Sequence, residues 1–217
     1  MAASPARKRE TPILLATGNP AKQQTLRWLL EGLTLCPVTP NQVALDAAPD
    51  EVGDTHETIA RLKAAQWSQA GSMLAIASDG GLVIPALGSR WESRYTHRFA
   101  GPAAGDAERI RRLLQLMRPY RGADRAASWI EGLAIADRGR VLASWQLRGG
   151  TGFIANAPDD TLQVPGFWAF SVWHFPQFGR TYNHLSTHQR ELLDDHWGRL
   201  RQLVQRYFRS HFVPPAA

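Results

Sequence analysis

The stretch from Ala75 to Gly101, with the apolar run that leads into it, constrains the chain most. An apolar run, Met73–Ala77, reads as a buried central strand. It ends on a polar pair, Ser78 and Asp79, followed by Gly80-Gly81 and a second apolar run, Leu82–Ile84. A carboxylate at the C-terminal end of such a strand, beside glycines that let a ligand approach the backbone, is where open α/β sheets place their chemistry. Taken alone, the stretch reads equally well as a strand closed by a plain Gly-Gly turn. The rest of the chain decides.

Ile13–Ala16 is a second short strand, and Thr17-Gly18-Asn19-Pro20 then offers a glycine turn, an Asn N-cap and a Pro for the first helical position. Leu26, Leu29, Leu30 and Leu33 follow at helical spacing. A strand, tight loop and helix N-terminus in succession, with Lys22 in the first turn, make an anion site; the GxxxxGK[ST] spacing of a Walker A loop is absent. Further on, Asp54 reads as an N-cap with Glu57 three residues later, opening a helix over 55–70 that turns Ile59, Leu62 and Ala65 inward. His56-Glu57 resembles the start of HExxH, but the position four after His56 is Ala60, which excludes that zinc motif.

A helix capped by Asp106 comes next, with Ile110, Leu113, Leu114 and Met117 as its buried stripe and Pro119 beyond its end. Ala127–Ala136 and Val141–Leu147 alternate as two strands joined at Asp137-Arg138-Gly139-Arg140, and Gly149 to Gly152 read as turns or bulges. The aromatic residues Phe167, Trp168, Phe170, Trp173, Phe175 and Phe178 crowd into one segment. They read first as a core corner and second as a platform for a stacked base. The closing helix, over 195–210, sets Leu200, Leu203, Val204, Tyr207 and Phe208 against Arg199, Arg201, Arg206 and Arg209. His184 and His188 stand four apart without a third ligand nearby, so they carry no metal reading. The order of elements argues for α/β with a mixed sheet: one domain over 11–217 behind a flexible tail over 1–10.

The formal net charge of +6 suits a polyanionic ligand, and arginine-rich excess favours planar recognition of phosphate or carboxylate. A basic face on an ordinary amphipathic helix gives nucleic-acid binding little support. The single cysteine, Cys36, excludes an intramolecular disulfide. No run approaches the roughly 18 apolar residues of a spanning helix, and the basic start has no apolar segment behind it. A cytoplasmic protein without membrane attachment is expected.

Several stretches together resemble the noncanonical purine NTP pyrophosphatases, the Ham1 or ITPase-like family. Ala16–Lys22 matches its T-x-N-x-x-K loop through Thr17, Asn19 and Lys22. Glu51–Thr55 with Ala60 and Lys63-Ala64 matches E-T-G-x-T-F-x-E-N-A-x-x-K-A. ASDGGL matches A-D-D-S-G-L, THRFAG at Thr96–Gly101 matches S-A-R-Y-A-G, and Arg125–Trp129 matches R-x-A-x-F. The resemblance runs in register from about Ile13 to Leu203 and implies an elongated, two-lobed mixed-sheet fold. It further implies a homodimer and Mg²⁺-dependent hydrolysis of a nucleoside triphosphate to monophosphate and pyrophosphate. By position, Asp79 would be the water-activating base, while Thr17, Asn19, Lys22, Lys63 and Gly80 would hold phosphates. Phe167, Trp168, Arg190, Asp194, Asp195 and His196 would face the base.

The sequence also departs from the family. Thr58 and Ser78 stand where metal-binding carboxylates are expected, leaving Asp79 and Glu57 as candidate metal ligands. Gly166-Phe167-Trp168-Ala169-Phe170-Ser171 replaces G-F-G-Y-D-P, and Asp194-Asp195-His196 replaces Ser-His-Arg. Aspartates supply acceptors where the family supplies donors, which predicts an altered base preference toward amino-bearing bases. The alternative is a catalytically impaired nucleotide-binding or regulatory protein on the same fold.

Overall fold

The computed structural model describes residues 10–46, 50–159, 161–162, 164–193 and 195–212. The expected tail falls almost wholly outside them, as does Asp194. Strand β1 (Thr11–Leu15) leads through helix α1 (Pro20–Leu30) to β2 (Leu35–Val38), which pairs with it in parallel. Helix α2 (His56–Ala70) then returns the chain to β3 (Leu74–Val83) on the other side of β1, also in parallel. After α3 (Asp106–Met117), the hairpin β4 (Ala126–Asp137) and β5 (Arg140–Ile154) extends the sheet antiparallel. Short strands β6 (Trp173–Phe175) and β7 (Arg180–Thr181) complete it in the order β2-β1-β3-β4-β5-β6-β7. Helices α4 (Thr187–Leu192) and α5 (His196–His211) end the described chain. This is the mixed α/β architecture expected. The hairpin turn falls where the sequence puts it, with Arg138 and Gly139 both at positive φ, as a tight right-twisted hairpin demands.

The chain crosses the sheet on both faces. Against one face α1 and α5 bury Leu26, Leu29, Leu30, Leu200, Val204 and Phe208 on Ile13, Leu15, Ile76, Leu133 and Ile135; full burial of each such side chain is worth about 1.5–3 kcal/mol. Against the other face α2 lays Ala60, Ala64 and Trp67 on Ala75, Ala77, Ala134 and Ala136. Beyond the hairpin's open end a third cluster joins Trp91, Trp129, Phe170, Trp173, Phe175 and Tyr182 to Ile110, Leu113 and Met117 of α3. Buried Arg125 ties that lobe together: its guanidinium donates to the carbonyls of Met117 (2.8 Å), Ile154 (2.6 Å) and Ala155 (2.6 Å).

Four local expectations are corrected. First, β3 does not stop at Asp79 but runs through both glycines to Val83, because β4 pairs with it along its whole length. Gly80 and Gly81 are there for close approach: a Cβ on the first would meet Glu131 Oε2 at 1.9 Å, and on the second the Ser93 carbonyl oxygen at 1.9 Å. Likewise β5 continues through Gly149–Gly152 as strand. Second, the N-cap of α2 is Thr55, whose hydroxyl accepts from Thr58 N–H at 3.0 Å, while Asp54 stays exposed. Third, the buried face of α2 is set by His56, Ile59, Ala60, Lys63, Ala64 and Trp67, leaving Leu62 and Ala65 half-buried. Fourth, α3 is preceded by Gly105; Asp106, its first residue, binds Arg109 and the Gly166 N–H instead of capping.

The alanine face brings α2 so close that Gly132 on β4 has no room for a side chain. A Cβ there would lie 2.3 Å from the carbonyl carbon of His56 and 2.4 Å from the Glu57 nitrogen. Gly132→Ala therefore has to push the helix off the sheet, and a loss of about 1–3 kcal/mol or more in urea unfolding is expected. Gly18→Ala, with nothing within 4 Å, serves as the comparison and shows no steric penalty.

Candidate active site

Three segments meet where β3 passes between α1 and α2. The loop Thr17–Asn19 closes on itself: Asn19 N–H donates to Thr17 Oγ1 at 3.2 Å, and Asn19 Oδ1 accepts from the N–H groups of Ala21 (2.9 Å) and Lys22 (3.3 Å). The cap thus uses the first-turn amides of Ala21 and Lys22 that the sequence offered to an anion. Among the described residues Lys22 has no ion-pair partner, and its charge reaches Asp79.

Asp79 lies inside β3 with its side chain on the α2 face. Its Oδ2 accepts from buried His56 Nδ1 at 2.6 Å, and His56 Nε2 is 3.0 Å from Ser93 Oγ. Burial alone would raise the Asp79 carboxyl. The hydrogen bond from His56 and the charges of Lys22, His56 and Lys63 outweigh it and hold the group below the usual carboxylate range. Lys63, buried on α2, donates to Glu51 Oε1 at 2.9 Å, and Arg98 pairs with the other oxygen of the same carboxylate. Burial raises the Glu51 carboxyl, but Lys63 and then Arg98 bring it down on balance. His97 stands nearby, its imidazole pushed down by burial and by Arg109 and Lys22.

Gly80 does not join this group. Successive residues of a strand face opposite sides, so Gly80 looks away from Asp79, toward Glu131 and Trp129 on the α1/α5 face. The donor set does not fit a divalent cation held by the protein alone. The Glu57 carboxylate is turned to the hairpin, where its Oε1 accepts from Ser144 Oγ on β5 at 2.6 Å. Thr58 is exposed and pairs with Thr55, and Ser78 Oγ is buried on the opposite face. Among the described residues no three His, Cys, Asp or Glu side chains gather as a metal site.

Next to the loop lies a cavity of about 640 Å³ between α1 and the start of α4 and α5. Its walls include Ala21, Trp28, Phe167, Phe170, Arg190 and Asp195. Phe167 stacks parallel on Phe170 at 5.0 Å between ring centres, and Gly166 packs against the Asn19 amide, so the aromatic wall begins where the loop ends. The Arg190 guanidinium lies over the Tyr182 ring at 4.8 Å. Asp195 caps α5 through Trp197 N–H (3.2 Å) and accepts from Tyr182 Oη (2.8 Å), so both oxygens are engaged within the protein. Trp168 turns into the core beside Phe99, and His196 is fully buried between Tyr182 and Trp197; neither lines the cavity.

The structure therefore brings together Thr17, Asn19, Lys22, Lys63 and Asp79, and separately Phe167, Arg190 and Asp195. It adds His56, Ser93, Glu51 and His97, which sequence reasoning did not assign to the site. The signal for His56 was present, since it occupies the Phe position of the second motif.

The sequence model of the Ham1 family matches residues 13–199. A dITP/XTP pyrophosphatase of Halorhodospira halophila is 31% identical over 199 residues, covering 89% of this chain and 95% of that protein. One from Gloeobacter violaceus is 32% identical over 202 residues, covering 93% and 96%. The solved structure of a HAM1 protein from Coxiella burnetii superimposes with a TM-score of 0.74 at 27% identity, covering 92% of this chain and 99% of that one.

Asp195 yields a pH prediction. Burial raises its carboxyl, but His196 and the Tyr182 hydroxyl outweigh that and leave it below its ordinary value. A depressed carboxylate contributes stability above its unfolded pKa of about 3.9 and loses it as pH falls through the lower folded value. Asp195→Asn should lower the melting temperature at neutral pH and flatten its decline below about pH 4, as followed by thermal melts across pH.

Proposed function

The chain belongs to the Ham1 family, and from that premise we propose that it hydrolyses a purine nucleoside or deoxynucleoside triphosphate to the monophosphate and pyrophosphate. The observation that carries this reading is the placement of Lys22 and Lys63 where their charges act on the Asp79 carboxylate, with Lys22 on the same helix, α1, that walls a cavity of about 640 Å³ bearing stacked aromatic rings. The base lies against Phe167 and the triphosphate passes the Asn19 cap toward Lys22. Lys63 exchanges Glu51 for phosphate oxygens. Asp79, kept ionised by its neighbours, accepts a proton from water through Oδ1. The water oxygen then bonds to the α-phosphorus, and the bond to the α–β bridging oxygen breaks with its electron pair leaving on pyrophosphate.

Magnesium enters on this reading as the counterion of the nucleotide, in keeping with its habit of binding through substrate phosphates and few carboxylates. A cytoplasmic homodimer belongs to the same proposal, and among the described residues no helix is long and apolar enough to cross a membrane. The base preference rests on what the cavity presents. Both Asp195 oxygens already accept hydrogen bonds within the protein, whereas the Arg190 guanidinium on the cavity wall brings only donors, which suit a 6-oxo purine. That replaces the preference for amino-bearing bases suggested by the sequence.

Incubation with a panel of purine triphosphates and Mg²⁺ should release pyrophosphate and monophosphate in equal amounts, fastest from 6-oxo bases. Asp79→Asn should lower kcat about a hundredfold or more. Nucleotide-induced thermal stabilisation without turnover, unchanged by Asp79→Asn, would instead mark a nucleotide-binding protein. Titration of the nucleotide-free protein with Mn²⁺ is expected to show no saturable binding.

A further inference from the structure

The Asp79–His56–Ser93 line has no counterpart in the motif the chain otherwise follows, where the position of His56 is Phe. Every member is held. His56, the first residue of α2, is 2% exposed and presses on Gly132. Ser93 opens a one-turn helix, Ser93–Tyr95, and its carbonyl accepts from Thr96 Oγ1 at 2.7 Å. The same Thr96 hydroxyl accepts from Leu82 N–H at 2.9 Å, and Gly81 gives the Ser93 carbonyl room against β3.

An ionised carboxylate only accepts, so the proton in the 2.6 Å contact sits on His56 Nδ1 and points at Asp79 Oδ2. Nε2 lies 3.0 Å from the Ser93 hydroxyl, which accepts from a cationic ring and donates to a neutral one, so Ser93 holds the ring in either state. A buried core histidine satisfies its nitrogens wherever partners exist. This one fills one oxygen of the carboxylate that Lys22 and Lys63 face, while Asp79 Oδ1 has no partner among the described residues. We infer that His56, fixed by Ser93, is a positioning residue for the proposed hydrolysis: it locks the Asp79 carboxylate so that Oδ1 alone is presented to the attacking water. The inference rests on the function proposed above.

Three variants test it. His56→Phe restores the motif residue and keeps a planar ring, but loses the donor; kcat should fall roughly a hundredfold with KM nearly unchanged, since misplacement of a reacting group acts on the chemical step. His56→Asn places an amide donor where Nδ1 was and should recover much of that loss, whereas Ser93→Ala should give an intermediate fall. Proton NMR supplies a readout free of turnover: a far-downfield imidazole N–H resonance is expected, absent in His56→Phe and displaced in Asp79→Asn. A His56→Phe protein with wild-type kcat, or folded His56→Asn no better than His56→Phe, overturns the inference. So does a wild-type spectrum without the downfield proton. If His56→Phe does not fold, His56→Asn and Ser93→Ala carry the kinetic comparison. If the wild type turns over no triphosphate while the resonance is present, the proposed function has failed and the hydrogen-bonded line stands as geometry only.

Discussion

The structure depends on the closeness of α2 to the sheet. Six alanines, Ala60 and Ala64 on the helix with Ala75, Ala77, Ala134 and Ala136 on β3 and β4, make a seam without bulk. Gly132 removes the last side chain beneath the helix start. A larger residue at any of these positions would lift α2, and with it three functional groups at once: His56 over Asp79, Lys63 beside Glu51, and Glu57 across to Ser144. The electrostatics of the site thus follow from packing. Burial pushes the Asp79 carboxyl upward, and the His56 hydrogen bond and Lys63 charge delivered by this seam, together with Lys22 of α1, bring it down on balance.

Much of the fold was legible because local and global signals agreed. The Asn19-Pro20 start of α1, its leucine stripe, and the Arg138-Gly139 turn each name one backbone conformation. What the sequence misled on was the glycines. Gly80-Gly81 and Gly149–Gly152 look like chain breaks, yet they lie within long strands, and at Gly80, Gly81, Gly149 and Gly152 the vacated Cβ space is filled by a group distant in sequence: Glu131, the Ser93 carbonyl, His196 and Trp173. Nothing local announces such a partner. The same limit explains the site. Thr17, Lys22, Lys63 and Asp79 come from contiguous motifs, whereas the His56–Ser93 contact joins residues 37 apart through a turn that no periodicity predicts.

The departures from the family pattern are coupled in space. Where the motif A-D-D-S-G-L has Ser, this chain has Gly80, and the space is taken by the fully buried carboxylate of Glu131, held by Trp129 Nε1 at 2.7 Å. Where the motif has a first Asp, Ser78 is buried without a hydrogen-bond partner among the described residues, a burden of about 1–3 kcal/mol. A carboxylate at that inward position would be far more costly, so its absence relieves the face that α1 and α5 cover. On the opposite face, His56 stands at the position of an apolar ring, and Thr58 is exposed and pairs with Thr55. The Asp79 carboxylate is fixed on this face by a hydrogen-bonded imidazole. The orientation of Asp79 therefore depends on the α2 seam, which sets where the His56 ring lies.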